Sequence, residues 1–143
     1  MKYPLALLCF LAPIAVHAET VSFGDNSSGW ANDGECDDRR FVGQGMASYL
    51  NWSDTERDAT DCKRAYALGL ITLWNQNEAA AATQCHAIDF GDNSSEFARD
   101  GECDDPRFEG PGTDSIIGAD DLGRDDLDCR AQCERGRVFL RTY

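Results

Sequence analysis

A dense acidic motif occurs twice in this chain, as DGECDD at residues 33–38 and again at residues 100–105. Each copy places four carboxylates within six residues, and a close pair of like charges near a protein surface repels by ~4 kcal/mol. Hard oxygen ligands along a glycine-containing loop suit Ca²⁺, which takes six to eight oxygens in a flexible shell. A bound divalent cation would offset the repulsion and order the loop.

The acidic motif belongs to a tandem duplication. A shift of 67 residues aligns residues 23–74 with residues 90–141 without a gap and gives 25 identities over 52 positions. Eight of the nine acids in the first copy recur in register, and only Glu56 is replaced, by Gly123. If the acids only formed a solvated acidic surface, their positions could differ between the two copies. Because they occupy equivalent positions, a binding site is favoured. A solvated acidic surface is the alternative interpretation.

The amino terminus predicts a secretory signal. Lys2 precedes an apolar run at residues 5–16, and Ala18 offers a small residue for cleavage before Glu19. We therefore expect a secreted or periplasmic protein without membrane insertion, because no later stretch is apolar for long enough to span a bilayer. The formal net charge of −13 argues against nucleic acid as a partner and favours cations.

Six cysteines follow the predicted signal, an even number that is typical of a disulfide framework in a short exported chain. Fifteen pairings of six cysteines exist in principle. The repeat favours Cys36 with Cys62 and Cys103 with Cys129, one bond in each copy, and leaves Cys85 to pair with Cys133. A zinc site that combines His86 with cysteines of the second half is the alternative, which an oxidising compartment disfavours.

The pattern predicts a small disulfide-rich α+β fold. It consists of two tandem loop-rich repeats, each with short strands and one short helix. The expected boundaries are a signal peptide at 1–18, repeat 1 at 19–74, a linker at 75–86 and repeat 2 at 87–143. Alternation predicts strands at 20–23 and 87–90, and further strands at 70–74 and 137–140. Helices are expected at 62–69 and 129–136, each closed by a glycine.

The paired signals NDGECD with DATDC, and RDGECD with DDLDC, resemble the Lin-12/Notch repeat, a small disulfide-bonded calcium module. The resemblance implies that two late aspartates and groups around the first cysteine hold one calcium ion in each copy. Carried over by position, the ligands are Asp33, Asp37, Asp58 and Asp61 in repeat 1, and Asp100, Asp104, Asp125 and Asp128 in repeat 2. The chain departs from that family in lacking its two middle cysteines.

The longer motif FGDNSSxxAxDGECDDxRFxGxG, followed by DxxDC, is similar to a repeat of exported α-proteobacterial proteins. That resemblance implies a bacterial, periplasmic or secreted setting. It covers most of the chain after the predicted signal.

These observations predict an exported calcium-binding module, with one cation per repeat, that acts in binding or structure on a protein or glycan of unknown identity. The alternative is a small secreted inhibitor or regulator of an extracellular hydrolase that uses its acidic surface without metal. An enzyme is not expected, because His86 is the one histidine after the signal and no nucleophile motif accompanies it. Trp30 and Phe97, at equivalent positions, are expected to be core contacts, with sugar stacking as the alternative.

Overall fold

The computed structural model describes residues 20–142 of the chain. The predicted signal peptide lies outside the described residues. The order of helices and strands is β1 (Phe41–Gly43), β2 (Tyr49–Asn51), α1 (Ala59–Ala67), β3 (Ile71–Leu73), α2 (Gln76–Ala82), β4 (Phe108–Glu109), β5 (Ile116–Gly118), α3 (Asp126–Glu134) and β6 (Phe139–Leu140). Together with three disulfides, this order confirms the predicted small disulfide-rich α+β fold. Among the described residues, no helix combines the length and apolar character that a membrane span requires.

Each repeat contains an antiparallel strand pair and a helix. Strand β1 pairs with β3 in the first repeat, and β4 pairs with β6 in the second. The strands predicted at 70–74 and 137–140 are confirmed as β3 and β6. Helices α1 and α3 are also confirmed, although each begins three residues earlier than predicted.

The strands predicted at 20–23 and 87–90 are wrong, because neither segment pairs with a strand within the described residues 20–142. A guanidinium takes the place of a strand partner in both repeats. Arg40 Nη2 donates to the carbonyl oxygen of Ser22 at 2.9 Å, and Arg107 Nη1 donates to that of Asp89 at 2.8 Å. The apolar residues of the alternating pattern still point inward, since Phe23 packs against the first core and Phe90 belongs to the second.

Each repeat has its own small core, built on a disulfide and a stacked pair of phenylalanines. The rings of Phe23 and Phe41 lie 5.5 Å apart, and those of Phe90 and Phe108 lie 5.4 Å apart. The bonds Cys36–Cys62 and Cys103–Cys129 form as the repeat predicts, and all four of these cysteines are buried. Such small cores need a covalent bond, because few apolar residues are available to stabilise them.

The third disulfide distinguishes the second repeat from the first. Cys85 pairs with Cys133, as predicted. Cys133 stands where the first repeat has Tyr66, whose ring packs edge-on against both phenylalanines of the first core. The segment predicted as a linker, residues 75–86, contains helix α2, which packs against β6.

The two repeats join through a strand pair that sequence reasoning did not predict. Strand β2 pairs antiparallel with β5, its own counterpart in the duplication, with Leu50 opposite Ile117 at the centre. Two backbone hydrogen bonds of 3.0 Å flank this pair in equivalent places, from Trp52 N to Ser115 O and from Ala119 N to Ser48 O. The β2–β5 strand pair is therefore locally two-fold symmetric about the contact between Leu50 and Ile117.

A buried charged triad also crosses the interface between the repeats, and it breaks this symmetry. Glu109 Oε2 accepts a hydrogen bond from Arg39 Nε at 2.8 Å and another from Arg141 Nη1 at 2.5 Å. All three side chains are buried. The guanidinium of Arg39 also lies 4.5 Å from the centre of the Trp52 ring. The triad therefore fixes the two repeats against each other through Arg39 of the first copy and Glu109 and Arg141 of the second, none of which has an equivalent in the other copy.

Candidate metal centre

The FGDNSS motif positions the start of the helix that follows each acidic loop. Asn26 Oδ1 accepts from the backbone N–H of Thr60, and Asn93 Oδ1 accepts from that of Leu127, both at 2.8 Å. These bonds satisfy donors in the first turn of α1 and α3, which have no partner within the helix. The identical sequence of the two motifs thus has a structural explanation. Each motif fixes the first turn of its helix, which contains Asp61 or Asp128.

A glycine in each FGDNSS motif allows that motif to cross closely over the loop that precedes the helix. A Cβ on Gly24 would lie 1.9 Å from the carbonyl oxygen of Glu56, and a Cβ on Gly91 would lie 2.0 Å from that of Gly123. Both glycines have positive φ, +70° and +85°, a conformation that costs a residue with a side chain about 1–2 kcal/mol. The close approach places the residue before each helix, Asp58 or Asp125, under the acidic loop.

The acidic loop is tied to that aspartate by one buried hydrogen bond. The backbone N–H of Asp37 donates to Asp58 Oδ2 at 2.8 Å, and the N–H of Asp104 donates to Asp125 Oδ2 at 2.9 Å. Asp58 and Asp125 are fully buried, and the disulfide of the repeat lies directly beside each of them. The structure therefore places one early and one late acid of each repeat side by side, Asp37 with Asp58 and Asp104 with Asp125.

The fourth acid of the motif has a different role. Asp38 is buried and accepts hydrogen bonds from the Arg40 guanidinium on both carboxylate oxygens, and Asp105 forms the same pair with Arg107. Asp38 also accepts from the backbone N–H groups of Arg40 and Glu56. These carboxylates are neutralised inside the fold, so they stabilise the loop and are not available to a cation.

Other acids of the cluster lack such partners. Among residues 20–142, the ion pairs include none of the eight predicted ligands. Several of their oxygens are buried without a hydrogen-bond partner; these are Asp37 Oδ2, Asp58 Oδ1 and Asp61 Oδ2 in repeat 1, and Asp104 Oδ2 and Asp125 Oδ1 in repeat 2. A buried carboxylate oxygen without a partner costs about 1–3 kcal/mol or more. Each described repeat thus contains several buried carboxylate oxygens whose hydrogen bonding is unsatisfied.

The pKa values of these acids reflect the same crowding. Burial raises the pKa of Asp37 to about 7, and the nearby charges of Asp33 and Asp58 add to the effect. Burial also raises the pKa of Asp58 to about 6, with Asp61 and Asp33 as further like charges. In the second repeat the pKa values of Asp104 and Asp125 rise to about 7 and about 6 for the same reasons. Asp100 and Asp128 act as like charges on Asp125. Of the eight predicted ligands among residues 20–142, only Asp58 and Asp125 belong to the groups of ligand atoms that lie within 4.8 Å of one another.

The two clusters differ at the last acid. Asp61 Oδ2 is buried without a partner in repeat 1. In repeat 2, Asp128 Oδ2 accepts from the backbone N–H groups of Arg99 at 2.6 Å and Gly101 at 3.1 Å. Asp128 is therefore partly used to hold its own loop, so the second cluster has fewer free oxygens.

Ligand atoms also gather around the disulfides. The sulfur atoms of Cys36 and Cys62 and a carboxylate oxygen of Asp58 lie within 4.8 Å of one another, as do those of Cys103, Cys129 and Asp125. These groups could hold a metal ion. Because the four cysteines are joined in disulfides, no thiolate is present, and the carboxylates are the stronger ligands.

Some residues near the clusters were not predicted as part of them. The charge of Asp54 raises the pKa of Asp37, and the charge of Asp121 acts in the same way on Asp104. Both acids occupy equivalent positions of the duplication, and this is the sequence signal that could have identified them as part of the clusters. The expectation that Trp30 and Phe97 are core contacts is wrong, because they are 62 % and 48 % exposed. The loop turns them outward, and the stacked phenylalanines fill the core instead.

No protein-family model, curated protein or solved structure matches this chain. Function must therefore be inferred from the site itself, and the resemblance to the Lin-12/Notch repeat stays a prediction.

Proposed function

We propose that this protein is an exported, non-catalytic calcium-binding module in which each repeat holds one Ca²⁺ ion between its acidic loop and the start of its helix. The proposed ligands are Asp33, Asp37, Asp58 and Asp61 in repeat 1 and Asp100, Asp104, Asp125 and Asp128 in repeat 2. Three disulfides support an oxidising, secreted or periplasmic setting. The ion would act in structure, by ordering the loop, and in binding, by shaping the surface above it.

One observation carries the proposal: among residues 20–142, buried carboxylate oxygens without hydrogen-bond partners recur at equivalent positions of both repeats, on Asp37 and Asp104 and on Asp58 and Asp125. Without a cation, these acids hold elevated pKa values because their charges are buried and repel one another. A divalent cation would supply the missing partner for several oxygens at once. Its binding free energy would then contribute directly to folding.

The donor set favours calcium among the common metals. The proposed ligands are carboxylate oxygens on the acidic loop and at the start of the helix, and such oxygens suit a hard cation with a flexible coordination shell. His86 is the one histidine among residues 20–142, and it lies in a short 3₁₀ turn beside Cys85, which is bonded to Cys133. A zinc site of thiolates and imidazole is therefore not supported.

The alternative function, a metal-free acidic docking surface, is disfavoured by burial. Asp58 and Asp125 are fully buried, and Asp37 and Asp104 are 5 % and 3 % exposed. Four carboxylates this buried cannot on their own form an acidic docking surface, which is what a metal-free function would require of the recurring acids. Their recurrence in the duplication is better explained by a shared ligand within each repeat.

Calorimetric titration with calcium tests the proposal. The disulfide-intact mature chain is expected to bind two Ca²⁺ ions, and thermal melts should show a higher melting temperature in calcium than in chelator. Asp58→Asn should remove one ion and Asp125→Asn the other, because each is the buried acid on which its cluster is built.

Glu56→Gln is the matched control. Glu56 is 46 % exposed in its side chain and pairs with Arg40 at the surface, so its substitution should leave the stoichiometry at two. A chain that binds no calcium and melts at the same temperature in chelator would refute the proposal and favour the hydrolase inhibitor or regulator. Equal losses of bound calcium in Asp58→Asn, Asp125→Asn and Glu56→Gln would refute the assignment of ligands.

A further inference from the structure

A cleft of about 470 Å³ lies beside the acidic cluster of repeat 1. One part of its wall is apolar and aromatic, with Trp30 and Tyr49 from the first repeat and Ile116 from the second. The rest includes four acids, which are Asp33, Glu35, Asp37 and Asp54. None of the residues between 20 and 142 that line this cleft is basic. The cleft thus combines a strongly negative wall with exposed aromatic rings.

The negative charge would survive calcium binding. Glu35 and Asp54 line the cleft but are not among the proposed ligands, so one Ca²⁺ would face six carboxylates in this repeat, including the buried Asp58 and Asp61. An excess of four negative charges would remain. Asp37 connects the two sites, because its side chain lines the cleft and its Oδ2, buried without a partner among residues 20–142, is proposed to bind the calcium ion.

The aromatic wall is also unusual. Trp30 is 62 % exposed and Tyr49 is 51 % exposed, and both line the cleft. Large exposed aromatic groups that border a cavity mark binding surfaces more often than isolated apolar residues do. An aromatic face attracts a cation within about 6 Å of its centre. Since acids and aromatic rings share one cleft, the chemistry that fits it is an alkylammonium or guanidinium group.

We propose that this cleft binds a lysine or arginine side chain of a partner protein, with the acids holding the charge and Trp30 covering the apolar stem. The inference rests on the proposed function, because calcium would order the loop that forms the negative wall. It adds the class of partner and assigns binding to the first repeat.

The second repeat lacks the same combination. A cavity of about 410 Å³ there is lined by Phe97, Asp120 and Asp121, but also by Arg124. Asp120 is further engaged by the hydroxyl group of Tyr49, which donates a hydrogen bond to it. A basic side chain would meet a positive charge at this cavity. The two repeats would therefore differ in function although both hold calcium.

Nuclear magnetic resonance of the calcium-saturated, disulfide-intact chain tests this inference. Nα-acetyl-lysine methylamide, a blocked lysine, is titrated at low ionic strength while the indole N–H signals of the three tryptophans are followed. We expect the Trp30 signal to shift and those of Trp52 and Trp74 to stay in place. The Nε-acetylated form of the same compound keeps the stem without the charge, and we expect it to cause no shift.

Matched variants localise the effect. Trp30→Ala should weaken binding of the blocked lysine by roughly two- to fivefold, the factor that corresponds to a cation–π contact of about 0.5–1 kcal/mol. Glu35→Gln should also weaken it, because Glu35 is an exposed acid of the cleft. Their counterparts Phe97→Ala and Glu102→Gln should have no effect, and all four variants should still bind two calcium ions by calorimetry.

The outcomes separate this inference from the proposed function. Two bound calcium ions without a shift of Trp30, or equal shifts with the neutral compound, would overturn the lysine site and leave calcium binding intact. A shift of Trp30 by methyl glycosides but not by blocked lysine would assign the cleft to glycans and overturn it as well. Absence of calcium binding would overturn the proposed function and, with it, this inference.

Discussion

Replacement of Glu109 by glutamine tests whether the buried triad holds the two repeats together. Glu109 is 2 % exposed, Arg39 is fully buried and Arg141 is 7 % exposed. Glutamine keeps the size of the side chain and removes its charge, so two buried guanidinium groups would lose the carboxylate between them. Removal of one partner from a buried ion pair costs about 3–5 kcal/mol, because it leaves an uncompensated buried charge.

The contacts that remain place the expected cost at the lower end of this range. Arg39 would still donate to the carbonyl oxygen of Asp114 and to Thr113 Oγ1, both at 2.6 Å. Arg141 would still donate to the carbonyl oxygen of Phe41 at 2.6 Å. We therefore expect a loss of about 3 kcal/mol in the free energy of unfolding. For a chain of this size, that loss lowers the melting temperature by roughly 10–15 °C.

The assay is unfolding in guanidinium chloride with intact disulfides and saturating calcium, followed by tryptophan fluorescence. Glu56→Gln is the control, since it breaks an exposed pair with Arg40, for which a loss of at most about 1 kcal/mol is expected. Replacement of all three residues by leucine and methionine should recover much of the stability, because no charge is then buried alone. A loss below about 1 kcal/mol for Glu109→Gln, equal to that of the control, would refute the reasoning.

Two further predictions concern the metal clusters. Because burial raises the folded-state pKa of Asp37 to about 7 and of Asp58 to about 6 from the ordinary 3.8, the stability that these protonated acids contribute is complete below pH 3.8 and is lost as pH rises through 6–7. In chelator, the melting temperature should fall between pH 4 and pH 7.5, whereas the gain from added calcium should grow; a calcium-free protein that becomes more stable over this range would contradict the assignment. Gly24→Ala should abolish calcium binding at repeat 1, because residue 24 has a φ of +70° and the new Cβ would lie 1.9 Å from a backbone oxygen. Gly29→Ala is the control and should be neutral, because its Cβ would meet no described atom within 4 Å. Calorimetry that finds two ions in Gly24→Ala would show that the crossing of the loops does not position the site.

The duplication made part of the fold predictable from sequence. Positions that matched between the copies identified the disulfide pairing, and the acids that recurred included the unpartnered carboxylates. Spacing alone could not separate Asp37 from Asp38. The distinction depends on Arg40, whose side chain folds back onto Asp38.

The interface between the repeats could not be predicted in this way. Arg39, Glu109 and Arg141 have Pro106, Val42 and Trp74 as their counterparts, so a search for shared residues passes over them. Strands β2 and β5 are three residues each, which is too short for a periodic pattern, and they pair only because the repeats meet. Local sequence specifies each repeat, whereas differences between the copies specify their assembly.

This division leads to a last prediction, about an isolated first repeat. Because β2 pairs with its own counterpart around Leu50, a fragment of residues 20–74 could in principle form a symmetric dimer through two copies of β2. Arg39 would then face Val42, which occupies the place of Glu109, and would be buried without an acid. We therefore expect the oxidised fragment to dimerise weakly, and Val42→Glu to strengthen the dimer by restoring a buried partner in both halves. Sedimentation of the two fragments in calcium checks this, with Val42→Gln as a control of similar size and no charge. If Val42→Glu associates no more tightly than Val42→Gln, the charged triad does not determine how the repeats assemble.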